Sequence, residues 1–198
     1  MRIYFEDYII LGAAIIWLLC VLVLKIMLKR TNAYLLFFTL FYIYICELIN
    51  YTQFPITIVP EFRGTIDIYK QINLIPFEGI LYYPKNLILN VIMTIPFGLL
   101  LPFIMKINLR KILIFAITLP IILEGIQFLL ALSLEYTERK IDINDLICNF
   151  IGTLIGYGVF KLFIYLFTSY INKKNVQLDF LTNHIASIAG ISKTINRH

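Results

Sequence analysis

Five long apolar runs, divided by short polar stretches, set the pattern of the chain. They cover about residues 8–28, 33–49, 87–105, 112–134 and 143–171. Each can cross a hydrocarbon core about 30 Å thick at about 1.5 Å of rise per residue. The pattern therefore predicts an all-α integral membrane protein, a bundle of about five transmembrane helices. The fifth run is longer than a span needs, so it tilts or its ends reach into the interfaces. Two segments fall outside the runs. Residues 50–86 carry Pro55, Pro60, Pro76, Pro84, Gly64 and Gly79, a density that argues against a long helix. That stretch nevertheless ends in the apolar sequences Asn73-Leu-Ile-Pro-Phe77 and Ile80-Leu-Tyr-Tyr83, so it is expected to fold back over the outer mouth of the bundle. The tail, residues 172–198, sets Val176, Phe180, Ile185, Ile188 and Ile191 among polar residues and suits a short amphipathic helix on the inner membrane surface. The expected organisation is one membrane domain over residues 1–171 followed by this tail, and no internal repeat of the kind that builds duplicated transporters is visible.

Composition agrees with this class. Of 198 residues, 60% are hydrophobic and 15% charged, against about 25% charged in an average soluble domain. Charge then orients the spans. Lys25, Lys29, Arg30, Lys106, Arg110, Lys111, Lys173, Lys174, Lys193 and Arg197 share one side, whereas Glu6, Asp7, Glu61, Asp67, Glu78, Glu135, Glu138 and Asp142 fall on the other. The positive-inside rule gives an N-terminus outside and a C-terminus inside. The first run has one Arg before it and its basic residues after it, the layout of an uncleaved span rather than a signal peptide. The net charge of +5 suits contact with anionic lipid head groups; no basic soluble domain exists to bind nucleic acid. Cys20, Cys46 and Cys148 sit inside spans without a pairing or metal-ligand pattern. His184 and His198 are expected to be solvated tail residues.

Polar residues inside apolar runs are the candidate chemistry. They are Asn90, the pair Glu124 and Gln127, and the run Arg139, Asp142, Asp145 and Asn149. A charge at the centre of a membrane helix costs roughly 2.5–3.5 kcal/mol on insertion scales, so such residues persist where they pair, line a cavity or act. The predicted orientation puts all of them, with Glu47 and Lys140, at similar depth toward the outer face. At about 100° per residue, Asp142, Asp145, Asn149, Gly152 and Gly156 fall within an arc of roughly 80°, and Glu124, Gln127 and Ala131 form one stripe. Each also has a plainer reading. Gly152-x-x-x-Gly156 is first a helix-packing seam; Asp142 and Asp145 are a cap and a first-turn acid; Asn149 and Gln127 are interhelical hydrogen-bond partners. Glu124 resists most, because its own span holds no basic residue; it needs Arg139, Lys140, a cation or its own proton.

These motifs resemble the VanZ-like membrane protein family. The resemblance rests on Asn73-x-x-Pro76-Phe77, Asn90 six residues before Pro96-Phe97-Gly98, Glu124-x-x-Gln127, and Arg139-x-x-Asp142-x-x-Asp145-x-x-x-Asn149-x-x-Gly152-x-x-x-Gly156. It covers about residues 73–158. Glu138 departs from the Gly that often precedes the motif Arg in the family. The resemblance implies a protein of the bacterial plasma membrane that contributes to resistance against lipid-tailed glycopeptides such as teicoplanin.

Three functional classes remain open on these residues. In an enzyme acting on a lipid head group or lipid-linked cell-wall intermediate, Glu124 would be the acid or base and Arg139 would hold a phosphate. Asp142 and Asp145, with Asn73, Asn90, Gln127 and Asn149, would orient substrate or hold a divalent cation. In a non-catalytic binder, the same cavity would take an amphipathic ligand or the lipoglycopeptide itself. In a structural protein, the cluster would lock the bundle or a partner interface. No nucleophile motif supports covalent catalysis.

Overall fold

The computed structural model describes residues 1–78, 84–174 and 178–191; Gly79, Ile80–Tyr83, Val176, Lys193, Arg197 and His198 lie outside the described residues. Five helices are long and apolar enough to cross a membrane. They are α1 (Tyr8–Leu22), which continues as a π-helical turn over Val23–Met27, α2 (Asn32–Gln53), α3 (Pro84–Ile104), α4 (Leu109–Leu134) and α5 (Ile143–Lys174). A sixth, α6 (Phe180–Ile188), follows. Polar side chains start the helices where the sequence supplies them. Thr31 accepts from the Tyr34 amide at 3.2 Å, Asn108 from Lys111 at 2.9 Å, and Asp179 from Leu181 and Thr182 at 3.0 and 2.8 Å, each satisfying donors that a helix N-terminus leaves orphaned. Hydrogen bonds from Thr182 hold the Asp179 carboxyl below the usual carboxylate range.

Four helix bounds differ from the sequence reading by three residues or more. α2 runs to Gln53 rather than 49, α3 starts at Pro84 rather than 87, α4 starts at Leu109 rather than 112, and α5 continues to Lys174 rather than 171. In each case polar residues extend an apolar run, and a helix bundled with neighbours has no reason to stop where hydropathy falls. The returning segment, residues 54–78, therefore begins later than 50. It crosses the end of the bundle where α2 ends and α3 and α5 begin, hereafter the polar end. Two short strand pairs fasten it: β1 (Arg2–Ile3) lies antiparallel to β2 (Ile56–Thr57), and β3 (Ile72–Asn73) lies parallel to β4 (Ile141–Asp142).

The centre of the bundle is the contact between α3 and α5, and it is close because three glycines allow it. A methyl group on Gly152 or Gly156 would run into the carbonyl oxygens of Val91 and Ile95, and one on Gly98 into that of Thr153. Thr94, fully buried, adds a hydrogen bond from its hydroxyl to the Asn149 carbonyl at 2.9 Å. Small residues that let backbones meet, with hydroxyl bonds between them, are how helices associate where lipid supplies no hydrophobic drive. Below this seam Phe97, Leu101, Phe103, Ile112, Tyr157 and Phe160 form the buried apolar core. α1 is peripheral. None of its residues is buried; Trp17 donates to the Thr39 hydroxyl (3.1 Å), and the Tyr42 hydroxyl donates to the Ala13 carbonyl (2.7 Å).

The tail forms a short helix, α6, that packs one face on the bundle: Ala186 is buried and Ile185 and Ile188 pack on the apolar core. His184 is not the solvated tail residue expected from the sequence. Its ring stacks on Phe37, with centroids 5.4 Å apart, and Nε2 lies 2.9 Å from the Phe103 carbonyl oxygen. That carbonyl stands near the C-terminus of α3, where helix geometry leaves acceptors without internal donors.

Replacing Gly156 by Val should force α3 and α5 apart and cost about 1–3 kcal/mol, the usual range for overpacking. Gly158→Ala, two residues on and facing open space, should be neutral or slightly stabilising. Thermal unfolding of the two purified variants in detergent checks the contrast.

Candidate functional site

Above the glycine seam, polar groups replace apolar ones. The C-terminal turns of α2, the segment 70–78, the first half of α3, the middle of α4 and the first turns of α5 surround a cavity of about 1310 Å³. All eight residues singled out from the sequence line it: Asn73, Asn90, Glu124, Gln127, Arg139, Asp142, Asp145 and Asn149, together with Glu47 and Lys140.

Most of these groups are already bonded to one another. Asn90 Nδ2 donates to Asp145 Oδ1 at 2.5 Å, across the α3–α5 contact. Asn73 Nδ2 donates to Asp142 Oδ1 at 3.1 Å, which also accepts the Asn144 backbone amide at 2.8 Å. Asp142 is thus the cap of α5, the plainer reading of that residue, and also a wall of the cavity. Gln127 Nε2 donates to the Thr52 carbonyl at 2.9 Å.

Arg139 occupies a different place from the one its charge suggests. Its Nη1 donates to the Thr52 carbonyl and its Nη2 to the Phe54 carbonyl, the latter at 2.8 Å. These carbonyls end α2, where acceptors are orphaned and a cation is favoured by the helix dipole. Each Nη group therefore gives one bond to the backbone at the end of α2, while the side chain also lines the cavity. Gln53 completes the arrangement by donating to the Leu123 carbonyl at 3.3 Å.

Glu124 is the group left over. It is 7% exposed, and Oε2 has no hydrogen-bond partner. Asp145, Asp142 and Arg139 are its charged neighbours, and the Asp142 backbone amide approaches it. Asn149, 2% exposed, likewise leaves Oδ1 without a partner; its backbone carbonyl is taken by the hydroxyls of Thr94 and Thr153, the latter at 3.0 Å. Among the described residues, no three His, Cys, Asp or Glu side chains gather closely enough to hold a metal ion.

The VanZ/LLP1 family model matches residues 15–164. The chain belongs to the VanZ/LLP1 family. The match reaches well upstream of residue 73, so the first two spans, which carry no motif that sequence reading picked out, are part of the family's common framework. No curated protein and no solved structure matches the chain. With five spanning helices, this VanZ/LLP1 protein is a multi-pass membrane protein.

Sequence reading missed three polar residues that organise the site. Thr52 and Gln53, both buried, end α2 just past the apolar run, where they read as the start of a loop. Asn144 sits between Asp142 and Asp145 but off their helical face. It is 3% exposed, accepts the Phe77 amide at 2.7 Å and donates to the Glu78 carbonyl at 3.1 Å. One amide thereby holds the segment 77–78 against α5. The available signal was a polar Asn144 directly beside Asp145, separated from Asp142 only by Ile143.

Asn144→Ala should release that segment while leaving the bundle intact, costing about 1–3 kcal/mol for the buried bonds lost. Hydrogen exchange at the Phe77 amide should accelerate relative to amides of α3. Arg139→Lys should loosen the end of α2 almost as much as Arg139→Ala, because a point charge cannot bridge two carbonyls as a fork does; exchange at residues 52–56 reads this.

Proposed function

We propose that this VanZ/LLP1 protein uses the polar cavity to engage the head group of a membrane lipid or lipid-linked cell-wall component. The cavity opens to the outer leaflet of the cell membrane. Through this action the protein contributes to resistance against lipid-tailed glycopeptides such as teicoplanin. The observation that carries the reading is the unpartnered Oε2 of Glu124, buried at the wall of a cavity whose lining also includes Asn149, with its own buried and unpartnered Oδ1. A carboxylate held away from water without a partner is unfavourable unless something else enters. The orientation follows from lysines and arginines concentrated at the end opposite the cavity.

In the enzymatic form of this proposal, Glu124 exchanges a proton with the head group, while Asn90, Asp145 and Asn149 orient it. Arg139 positions the wall rather than the substrate. The binding form needs no proton transfer and is favoured by one specific fact: the carboxylates of Asp142 and Asp145 already accept amide donors, which suits a static receptor.

Expressed in a sensitive Gram-positive host, the chain should raise tolerance to teicoplanin more than to vancomycin. Glu124→Gln, nearly isosteric, should abolish this at unchanged membrane abundance. No effect on teicoplanin would remove the resistance reading. A new or missing species in lipid and wall-precursor profiles marks the enzyme; unchanged profiles with retained protection mark the binder. Cysteines placed at Glu61 and at Asn108 should react with a membrane-impermeant reagent in whole cells at the first position and not at the second.

A further inference from the structure

We infer that the ligand of the cavity carries a primary ammonium group; the inference rests on the head-group reading above and narrows it to one chemical class. Three ion pairs exist among the described residues: Arg2 with Glu138, Arg63 with Glu135, and Lys70 with Asp67. None of them involves Glu124, Asp142 or Asp145, although these three carboxylates line one cavity. Of the three cations that line the cavity, Lys140 is in no ion pair with these carboxylates, and the other two are engaged elsewhere. Lys70 faces Asp67 at 3.5 Å, and the Nη groups of Arg139 are bound to the carbonyls of Thr52 and Phe54.

The unfilled hydrogen-bonding capacity has one sign as well. The two buried cavity atoms without partners, Glu124 Oε2 and Asn149 Oδ1, are both acceptors. A phosphate brings acceptors and negative charge and would meet acceptors and negative charge. A quaternary ammonium brings charge without N–H donors. A primary ammonium brings both, with three donors on one compact centre. It can donate to Glu124 while offsetting the charge of Asp145, which is a charged neighbour of Glu124 and whose bond from Asn90 leaves its second oxygen available for charge interaction. The exposed apolar residues Leu74, Ile75 and Phe77 at the rim suit a ligand whose other end lies in the membrane, so the ammonium belongs to a lipid head group.

The test compares dioctanoyl-phosphatidylethanolamine, dioctanoyl-phosphatidylcholine and dioctanoyl-phosphatidylglycerol, with free phosphoethanolamine as a fourth arm, binding to the detergent-purified full chain by native mass spectrometry. The primary amine lipid should bind about tenfold or more tighter than either of the others. Glu124→Gln and Asp145→Asn should each remove that preference. Preference for phosphatidylglycerol by the unmodified chain overturns the ammonium inference and leaves a head-group site standing. Equal binding of all three lipids, unaffected by both substitutions, or no binding at all, overturns the head-group reading as well. Phosphoethanolamine binding as tightly as the lipid upholds the ammonium and rejects the lipid. The ranking in the unmodified chain decides, so a variant that fails to fold leaves no ambiguity.

Discussion

The close approach of α3 and α5 is the constraint on which the rest depends. Glycines at 98, 152 and 156 let each backbone reach the other's carbonyls, and this distance is what allows short side chains to bridge. Asn90 meets Asp145, and Thr94 meets the Asn149 carbonyl, only because the axes are drawn together one and two turns deeper. A seam that looks purely structural therefore sets the geometry of the polar groups above it.

A second constraint comes from helix ends. α2 stops inside the protein's own polar end, so its terminal carbonyls need donors that water does not conveniently supply. Arg139 and Gln127 meet at the Thr52 carbonyl, and Gln53 returns the favour to α4 at Leu123. The returning segment is held in the same way, through Asn144 and through backbone bonds such as Gly64 to the Glu135 carbonyl at 3.0 Å. The walls of the cavity are thus built mostly from side chain to backbone bonds. Glu124, Asn149 and Gln53 each keep one buried acceptor unmatched, and of the three residues Glu124 and Asn149 line the large cavity.

Hydropathy alone located the five spans, since length and apolarity are what a membrane crossing demands. The polar residues were legible for the complementary reason: their cost in an apolar run marks them. What each would bond to was not legible. The charge of Arg139 suggested an anion, but its partners are carbonyls, which carry no sequence signature. Thr52 and Gln53 were lost because a helix does not end where hydropathy falls. His184 was misjudged because tail composition says nothing about docking; the ring finds Phe37 and the Phe103 carbonyl only in three dimensions. Asn144 was overshadowed by its charged neighbours.

The apolar half of the bundle has its own consequence. Phe97, Leu101, Phe103, Ile112, Tyr157 and Phe160 close the space beneath the glycine seam, and Ile185 and Ile188 of α6 press on them from below. Among the described residues, the polar cavity therefore stands on a packed apolar floor, and the layers differ in what they tolerate: a side chain lengthened in the floor has nowhere to go, whereas one lengthened at the rim has room.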